Sequence, residues 1–379
     1  MKLQKNTLGF LLALSIIVCS CSKDRVVVNL SPPPALPSPA LPPTLPPITP
    51  TTITQSAQLI QVGQLSQART HIAAAAAGNK IVFAGGELSP NTASSRVDIF
   101  DIVTNTWSSA ELSQARSRIA TAVANNKIYF AGGRSGTNFI SSQVDIYNTL
   151  TNEWSTANLT GVEEVMSGAA TTTKVVFASG VIAHIYDIAS NSWSTAPLSE
   201  RPGSWGPAVM GIAATVIGNT IYFAGGTDGW DVQRSIDIYN TNTNIWSTSS
   251  LSEYKGGAAG IAVGNINIWA GGVTFPDAIS SRVEIRDMVT GLITYGSLFQ
   301  GNSFFSAIQK NDAIVFFTGT GSEKNKFDIY NLNTRSWLIG LLSQDIEDAA
   351  IISVNNSTVY VAGGKINGVV TDQFRRLEF

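Results

Sequence analysis

The chain has 379 residues, of which 44% are apolar and only 13% are charged, and its formal net charge is −2. This apolar fraction is enough for a large hydrophobic core, and the weak negative charge provides no basic surface for nucleic acid. The only cysteines, Cys19 and Cys21, both lie near the start, so the rest of the chain forms no disulfide and must be held by its core.

The first 20 residues are typical of a secretory signal peptide. Lys2 and Lys5 give a positive start, and an apolar run follows over residues 8–18. This run is too short to cross a bilayer as a helix, and it has the length of the apolar region of a signal peptide.

The segment around Cys21 resembles the lipobox of bacterial lipoproteins, in which a peptidase cuts before a cysteine that then carries acyl chains. The small Ser20 precedes Cys21, whereas the bulkier Val18 precedes Cys19, so Cys21 is the predicted lipidation site. The resemblance implies an outer-membrane lipoprotein, facing the periplasm or the cell surface, that touches the membrane only through its lipid. An ordinary cleaved signal with two incidental cysteines is the alternative.

Residues 21–57 are predicted to form a linker. After the lipidated cysteine the segment is rich in proline, serine and threonine, and the prolines are densest between Ser31 and Pro50. Such a composition favours extended polyproline II and does not build a packed core. The fold is therefore predicted to lie in residues 58–379, where no segment is long and apolar enough to be a transmembrane helix.

A repeat of about 47 residues runs through residues 58–379, and repeats of this length indicate solenoids or propellers. In five copies an apolar run ends in a pair of glycines, and two degenerate copies fill the gaps between them. These seven positions, spaced by 44 to 48 residues, are Gly85, Gly132, Ser179, Gly225, Gly271, Gly319 and Gly363.

A second motif follows each apolar run. Segments such as Val97-Asp-Ile-Phe100 alternate apolar and polar residues, which is typical of half-buried strands. Seven residues after the aromatic comes a tryptophan, as in Trp107, with the turn-forming pair Thr104-Asn105 between them. The fifth copy departs from the pattern, with Arg286 and Ile293 at the two aromatic positions.

An apolar strand with a glycine pair, then an aromatic and a tryptophan seven residues later, resembles the kelch repeat over essentially all of residues 58–379. The resemblance implies an all-β fold, a seven-bladed kelch-type β-propeller with four antiparallel strands per blade. The last copy ends too early for a fourth strand, and residues 60–69 match residues 107–116 at an offset of 47. The N-terminal strand is therefore predicted to close the ring as the outer strand of the seventh blade.

The residues of the repeats predict no cofactor, no metal and no catalytic motif. His71 and His184 lie in different repeats without a second ligand at metal spacing, so both are interpreted as structural. The aspartates that recur before the aromatic position, in every regular copy, are interpreted as structural hydrogen-bond acceptors. They are Asp98, Asp145, Asp237 and Asp328.

The first candidate binding residues lie 12 positions before each inner strand. They mix cations and carboxylates: Arg69, Arg116, Glu163, Val209, Lys255, Ser303 and Glu347. In kelch proteins that bind peptides, the resemblance implies, arginines at this position face the ligand at the channel mouth. The mixture favours a neutral or zwitterionic ligand over a strongly acidic peptide. Salt bridges within the protein are the alternative.

The second candidate region is an insertion between Pro197 and Val209 together with the loop after the fourth glycine pair. The two segments carry two tryptophans outside the repeating positions and three charged residues: Arg201, Trp205, Asp228, Trp230 and Asp231. Exposed aromatics beside such groups suit stacking against a sugar ring. Packing between the third and fourth blades is the alternative.

The leading functional hypothesis is a monomeric, membrane-anchored binding protein whose propeller mouth takes a glycan, a peptide or a partner protein. One alternative is a carbohydrate-active enzyme such as a sugar mutarotase or epimerase. It would need a carboxylate and a cation together, with Glu163 or Glu347 and Arg69 or Arg116 as candidates. A structural assembly scaffold is a further alternative.

Overall fold

The computed structural model describes residues 54–136, 139–160, 165–199, 211–227, 232–274, 278–317, 319 and 321–379. Every regular element among them is a β-strand, which confirms the predicted all-β class. All of them belong to one compact unit, Leu45–Phe379. The described residues contain no helix of the length and apolar character needed to cross a membrane.

The strands are numbered in chain order. Those of the N-terminal half are β1 Thr54–Ser56, β2 Gln58–Gln64, β3 Ala73–Ala77, β4 Lys80–Ala84, β5 Glu87–Ser89, β6 Thr92–Ala93, β7 Arg96–Asp101, β8 Thr106–Glu111, β9 Ala120–Ala124, β10 Lys127–Ala131, β11 Gln143–Asn148, β12 Glu153–Asn158, β13 Val165–Ala170, β14 Lys174–Ser179, β15 Ile182–Asp187 and β16 Ser192–Pro197.

The strands of the C-terminal half are β17 Ala213–Ile217, β18 Thr220–Ala224, β19 Ser235–Asn240, β20 Ile245–Ser250, β21 Ala259–Val263, β22 Ile266–Ala270, β23 Val273–Thr274, β24 Ala278–Ile279, β25 Arg282–Asp287, β26 Ile293–Ser297, β27 Ala307–Lys310, β28 Ala313–Phe317, β29 Lys326–Asn331, β30 Trp337–Leu341, β31 Ile346–Glu347, β32 Ala350–Val354, β33 Thr358–Ala362, β34 Lys365–Ile366, β35 Val369–Val370 and β36 Gln373–Glu378.

Each repeat forms one main antiparallel sheet of four strands. The sheets are β3-β4-β7-β8, β9-β10-β11-β12, β13-β14-β15-β16, β17-β18-β19-β20, β21-β22-β25-β26, β27-β28-β29-β30 and β32-β33-β36-β2, and they are called sheets 1 to 7 in that order. Sheet 6 has β1 as a fifth strand. Seven short additional strands, β5, β6, β23, β24, β31, β34 and β35, pair with one another in the loops that precede the first strands or follow the glycine pairs.

The second strand of each sheet is the most deeply buried. In β4, Ile81, Val82, Phe83 and Ala84 are all fully inaccessible to solvent. A strand whose two faces are both covered must be apolar on both faces, which is why these segments are continuous apolar runs and do not alternate. In the outer strand β8, in contrast, only Trp107 and Ala110 are partly buried and the other residues are exposed. The core therefore lies between the faces of neighbouring sheets.

The interface between sheets 7 and 1 shows how the repeated aromatics pack. Phe83 and Phe100 of sheet 1 form one cluster with Phe374 of sheet 7. Trp107 packs 4.9 Å from Phe100 and 5.1 Å from Phe374, measured between ring centroids. Full burial of one such ring contributes roughly 2 kcal/mol, so the repeated aromatics hold neighbouring sheets together.

The third and fourth strands form the predicted hairpin, and its register places the recurring aromatic opposite the tryptophan. Phe100 pairs with Trp107, and Tyr147 pairs with Trp154 in the next sheet. The Tyr147 hydroxyl donates to the Asn152 side chain at 2.9 Å, and Asn152 has a positive φ of 60°. Asparagine tolerates this left-handed conformation, which explains its place in the turn.

In the fifth repeat, Arg286 and Ile293 stand at the positions of the aromatic and the tryptophan. Arg286 stands 5.6 Å over the ring of Trp269 and forms an ion pair with Glu284 at 2.5 Å. Trp269 and Glu284 are fully buried. A guanidinium can stack on an aromatic face while it neutralises a buried carboxylate, so Arg286 takes the packing role of the missing aromatic.

The N-terminal strands join two sheets of the C-terminal half. Strand β2 pairs antiparallel with β36 and is the outer strand of sheet 7. Strand β1 pairs parallel with β30 and lies within the segment 21–57 that the sequence assigns to the linker. Ala57, between the two strands, is buried. The beginning of the described chain is thus held by backbone hydrogen bonds to the end.

Candidate functional site

The predicted ring of charged residues begins with Arg69, which is fully buried in the loop that enters sheet 1. One of its amino groups donates to the Gly85 carbonyl at 2.7 Å, and the other pairs with Asp98. Asp98 also accepts from the backbone N–H of Ser66 at 3.0 Å. The Arg69 side chain therefore links the loop that enters sheet 1 to the glycine pair after β4 and to the third strand, β7.

The second repeat contains the same arrangement, in which Arg116 donates to the Gly132 carbonyl at 2.6 Å and pairs with Asp145. In the fifth repeat the Lys255 ammonium donates to the Gly271 carbonyl at 2.9 Å, but its carboxylate partner is Glu253 of its own loop. Both side chains are fully buried. A fully buried cation offers no surface to a ligand. The expectation that Arg69, Arg116 and Lys255 face a ligand is therefore corrected, and the salt-bridge alternative describes them.

The glycine pair is required by a close contact with the loop that enters the next sheet. Gly85 has a φ of +64°, and a Cβ at this position would lie 2.3 Å from the backbone oxygen of Arg116. The N–H of Gly86 donates to that oxygen at 2.9 Å. The repeated glycines therefore allow one sheet to approach the loop that enters the next sheet.

Two members of the predicted ring are displaced by one residue. The bridge between Thr70 and Glu87 has its counterpart in the pairing of Glu347 with Lys365, so Ile346 and not Glu347 corresponds to Arg69. Gly272 donates to the Asn302 carbonyl as Gly86 donates to that of Arg116, so Asn302 and not Ser303 is the counterpart in sheet 6. In sheet 7 the position is displaced because the β32–β33 turn is one residue longer than the β3–β4 turn. In sheet 6 the position was measured from Val315, but Ile314 pairs with Tyr330 as Ile81 pairs with Phe100, so Ile314 is the true counterpart of Ile81.

The interpretation of the recurring aspartates as structural acceptors agrees with their contacts. Asp145 and Asp328 accept from the backbone N–H groups of Ser113 and Phe299, just as Asp98 does from Ser66. In sheet 6 the cation is missing, and burial raises the pKa of Asp328 to about 7. In sheet 3 the position belongs to His184, whose pKa is lowered by burial.

Several predicted residues lie outside the described part of the chain, and for them the sequence predictions stand as predictions. They are Cys21, Glu163, Arg201, Trp205, Val209, Asp228, Trp230 and Asp231. The described members of the predicted set are Arg69, Arg116, Lys255, Ser303 and Glu347. Of these, Glu347 is partly exposed and forms an ion pair with Lys324 at 2.6 Å.

A different set of residues comes together where the loops enter the first strands. In each described loop of this kind, one residue has a positive φ: His71, Arg118, Gly211, Gly257, Phe304 and Asp348. Their backbones are linked, since His71 N–H donates to Asp348 O at 3.1 Å and Phe304 N–H donates to Gly257 O at 2.7 Å. A left-handed backbone at non-glycine residues costs free energy and clusters at functional sites.

Four of these left-handed residues carry side chains. With Glu87, the four make the group called here the mouth cluster: His71, Glu87, Arg118, Phe304 and Asp348. The Arg118 guanidinium lies 3.1 Å from Nε2 of His71 and 3.4 Å from Glu87. The His71 ring lies 3.4 Å from Glu87 and 3.5 Å from Asp348. The His71 imidazole is thus in contact with a cation and with two carboxylates.

The electrostatics of the cluster favour a neutral His71. Burial of the ring is the largest cause that lowers the pKa of His71, and the neighbouring Arg118 and Lys365 lower it further. Asp348 and Glu87 act in the opposite direction. The Lys365 ammonium in turn pairs with Asp348 at 3.0 Å. A neutral imidazole can accept a hydrogen bond from Arg118, which an imidazolium cannot.

Phe304 completes the cluster with an exposed aromatic ring, of which 52% is accessible. The ring lies against Gly211 and Gly257, where a Cβ on Gly257 would approach it to 2.9 Å. Two adjoining cavities, of about 410 Å³ and about 940 Å³, share His71, Arg118, Phe304 and Ser306 in their walls. The mouth cluster thus lies between two cavities, each large enough for a small ligand.

Glu87, Arg118, Asp348 and Phe304 are missed by the sequence interpretation, and His71 is assigned there to a structural role. The sequence did contain a signal for this cluster. Two residues after the aligned arginine the repeats differ, because Arg69-Thr is followed by His71 whereas Arg116-Ser is followed by Arg118. No group of three metal-ligating side chains occurs in the part of the chain that the structure describes.

Comparison with known proteins identifies the repeat. Three segments, residues 68–111, 115–158 and 210–250, match the Kelch motif. The chain carries kelch repeats. No curated protein matches the sequence significantly.

A solved structure described as "Structure of YjhT" superposes on the kelch sheets with a TM-score of 0.54. It covers 73% of this chain and 98% of its own, at 13% sequence identity. At this identity the likeness concerns the fold alone. Kelch repeats in such sheets form β-propellers, and kelch propellers in general are scaffolds for protein binding.

Proposed function

We propose that the seven kelch sheets are the blades of one closed propeller. The inner strands β3, β9, β13, β17, β21, β27 and β32 contact each other in that sequence, and β32 contacts β3. Strand β2 forms the outer strand of sheet 7 with the C-terminal β36, which supports closure by the N-terminal strand. In this arrangement the first strands surround a channel, and the mouth cluster lies at one end of it.

The propeller is proposed to be a binding protein that holds its ligand at the mouth cluster. The observation that carries this proposal is the convergence of four non-glycine residues in the left-handed conformation, His71, Arg118, Phe304 and Asp348, on one shared pair of cavities. Each such residue costs of order 1 kcal/mol of folding free energy. A purely structural loop would relieve this cost with glycine, as Gly211 and Gly257 do.

The composition of the cluster favours a ligand with both kinds of charge, or with many hydrogen-bonding groups. Arg118 offers a half-exposed guanidinium, Asp348 a partly exposed carboxylate, and Phe304 an apolar face. Peptides and amino sugars combine these features, so a peptide, a glycan or a segment of a partner protein is the proposed ligand class.

A peptide and glycan array probed with the full chain tests the proposal. Arg118→Ala and Phe304→Ala are expected to lose the bound spots at unchanged thermal unfolding. Arg376→Ala is the matched control, because Arg376 is a half-exposed arginine of β36 that forms an ion pair with Glu378 and lines neither of the two cavities. Unchanged spots in both mouth variants, or an equal loss in the control, would refute the site.

The predicted insertion can be separated from the mouth cluster on the same array. Loss of binding in the double variant Trp205→Ala and Trp230→Ala, with folding preserved, would extend the proposed surface to those residues. Retained binding in that variant, together with loss in Arg118→Ala, would restrict it to the mouth cluster.

A second candidate function is enzymatic, and the contacts of His71 favour it. An imidazole between Glu87 and Asp348 has the partners of a general acid or base, and Arg118 could stabilise a developing negative charge. Ring opening and closing of a sugar requires this chemistry. Polarimetry on freshly dissolved sugars would detect it, and His71→Asn should abolish any acceleration; retained acceleration would exclude His71.

The protein is further proposed to be a lipoprotein anchored through Cys21. The support is the sequence alone: an apolar signal region, then Ser20-Cys21 and a proline-rich segment. Metabolic labelling with palmitate should mark the wild-type chain and not Cys21→Ser, while Cys19→Ser should label normally. Equal labelling in Cys21→Ser would refute the assignment.

A further inference from the structure

The arrangement around His71 has two possible partners for one ring nitrogen. Nε2 lies 3.1 Å from the Arg118 guanidinium and 3.5 Å from an oxygen of Asp348. A guanidinium can only donate hydrogen bonds, so Nε2 must accept in the observed contact. The ring is then neutral with its proton on Nδ1, which lies 3.2 Å from Thr70 Oγ1 and 3.4 Å from Glu87.

We propose that His71 is a proton-controlled switch that holds Arg118 in the mouth cluster when neutral and releases it when protonated. The inference rests on the proposed binding function, because it concerns the group that this cluster presents to a ligand. It adds that the net charge of the mouth cluster changes when His71 gains or loses a proton.

The chemistry of the protonated state follows from the donors and acceptors. When Nε2 takes a proton it becomes a donor, and its contact with the Arg118 guanidinium becomes a repulsion between two cations. The Asp348 oxygen at 3.5 Å is then the acceptor within reach of Nε2–H. No covalent bond changes; the ring exchanges one hydrogen-bond partner for another.

The charges around the ring are balanced closely enough for such a switch. Arg118 and Lys365 oppose protonation, Asp348 and Glu87 favour it, and burial opposes it. Lys365 pairs with the second oxygen of Asp348, Oδ2, which leaves Oδ1 for His71. Proton uptake is therefore displaced to a pH below the ordinary histidine value of 6.5.

Release changes what a ligand meets. The Arg118 side chain is already 48% exposed, and without His71 its remaining partner is Glu87 at 3.4 Å. A half-exposed guanidinium with one long ion pair is available to a carboxylate or another anionic group. The mouth is thus expected to hold anionic groups more tightly in mildly acidic surroundings than at neutral pH.

The switch can be tested without any ligand by NMR of the full-length protein labelled with ¹⁵N on histidine and arginine. The chain has only two histidines, so His71→Asn assigns both; asparagine is suitable because it tolerates a positive φ. At pH 8 the ¹⁵N shifts of His71 should report the tautomer with the proton on Nδ1. On titration towards pH 5 the Arg118 Nε–H signal should gain mobility with the same midpoint as the His71 ring.

Variants of the two competing partners should shift the midpoint in opposite directions. Arg118→Gln removes a cation and should raise the pKa of His71, whereas Asp348→Asn removes an acceptor and should lower it. A structural histidine elsewhere is the control: the pKa of His184 should be the same in both variants.

An Nε2–H tautomer at pH 8, an unchanged midpoint in either variant, or an Arg118 signal that does not follow the titration would overturn the switch. These outcomes are independent of the array experiment. Failure of the switch leaves ligand binding to be judged on the array, and failure of the array leaves the titration as measured.

Discussion

Asp328 gives the sharpest test of how the buried charges of the repeats act on stability. Its counterparts Asp98 and Asp145 pair with buried arginines, but in sheet 6 the cation is replaced by Asn302. The Asn302 amide is committed to the backbone of the glycine loop, where it accepts from the N–H of Gly319 at 2.9 Å. Asp328 is 3% exposed and keeps one hydrogen bond, from the Phe299 N–H.

The expected magnitude follows from the pKa. Burial raises the pKa of Asp328 from 3.8 to about 7. The unfolded chain releases this proton near pH 4, while the folded protein keeps it until about pH 7. Between these limits the folded state binds more protons, so the free energy of unfolding falls as the pH rises. A difference of about three pH units corresponds to roughly 4 kcal/mol, present below pH 4 and lost above pH 7.

The assay is urea unfolding of the wild type and of Asp328→Asn at several pH values from 4.5 to 8.5. The asparagine amide stays neutral and can still accept from Phe299, so the variant should lose this pH dependence and be the more stable protein at pH 8. The difference between the two proteins cancels the titration of the two histidines. Asp98→Asn is the control: it leaves the buried Arg69 unpaired and should cost roughly 3–5 kcal/mol at every pH. Parallel curves for wild type and Asp328→Asn would refute the argument.

Three further outcomes are expected. Gly257→Ala should displace the Phe304 ring and weaken ligand binding. Its control is Gly264→Ala, also at a positive φ but with open space around it, which should cost only about 1 kcal/mol of stability and leave binding unchanged. Equally strong binding by the two variants would contradict the placement of Phe304. Arg118→Gly should abolish binding while the unfolding midpoint stays or rises, because it removes a strained non-glycine residue; a large destabilisation would show a structural role. A chain truncated before Gln373 lacks the partner of β2 and should show no cooperative unfolding, and a normal transition in circular dichroism would contradict the closure proposed for sheet 7.

The sheets could be predicted from the sequence because each repeat gives the same local signals. The glycine pair, the alternating strand and the tryptophan recur at nearly constant spacing, so one copy supports the next. The hairpin of β7 and β8 is as predicted, and in it Phe100 lies opposite Trp107. Neighbouring sheets can only bury these aromatics against each other, which is why the periodicity also predicts the packing.

The role of the charged ring could not be predicted by counting residues. A one-residue difference in the β32–β33 turn misplaced Glu347 by one position. In sheet 6 the degenerate glycine segment made Val315 and not Ile314 the reference residue, which misplaced Ser303 by one position. Burial was the second difficulty. Arg69 and Glu347 both lie 12 residues before an inner strand, yet one is fully buried and the other is partly exposed. A charge in a loop is inexpensive to expose, and the burial of Arg69 is made favourable by Asp98 together with the Gly85 carbonyl.

The mouth cluster could not be predicted from any single repeat, because it is formed by side chains from several repeats. Six described loops that enter first strands each contain one left-handed residue, and glycine adopts this conformation at the least cost. The loops around sheets 4 and 5 use it, with Gly211 and Gly257, and the Phe304 ring occupies the space that these glycines leave. His71, Arg118 and Asp348 retain side chains despite the strain and lie together on the other side of the shared cavities. The repeats therefore agree in backbone conformation and differ in side chain, and this difference makes a symmetric fold asymmetric at its mouth.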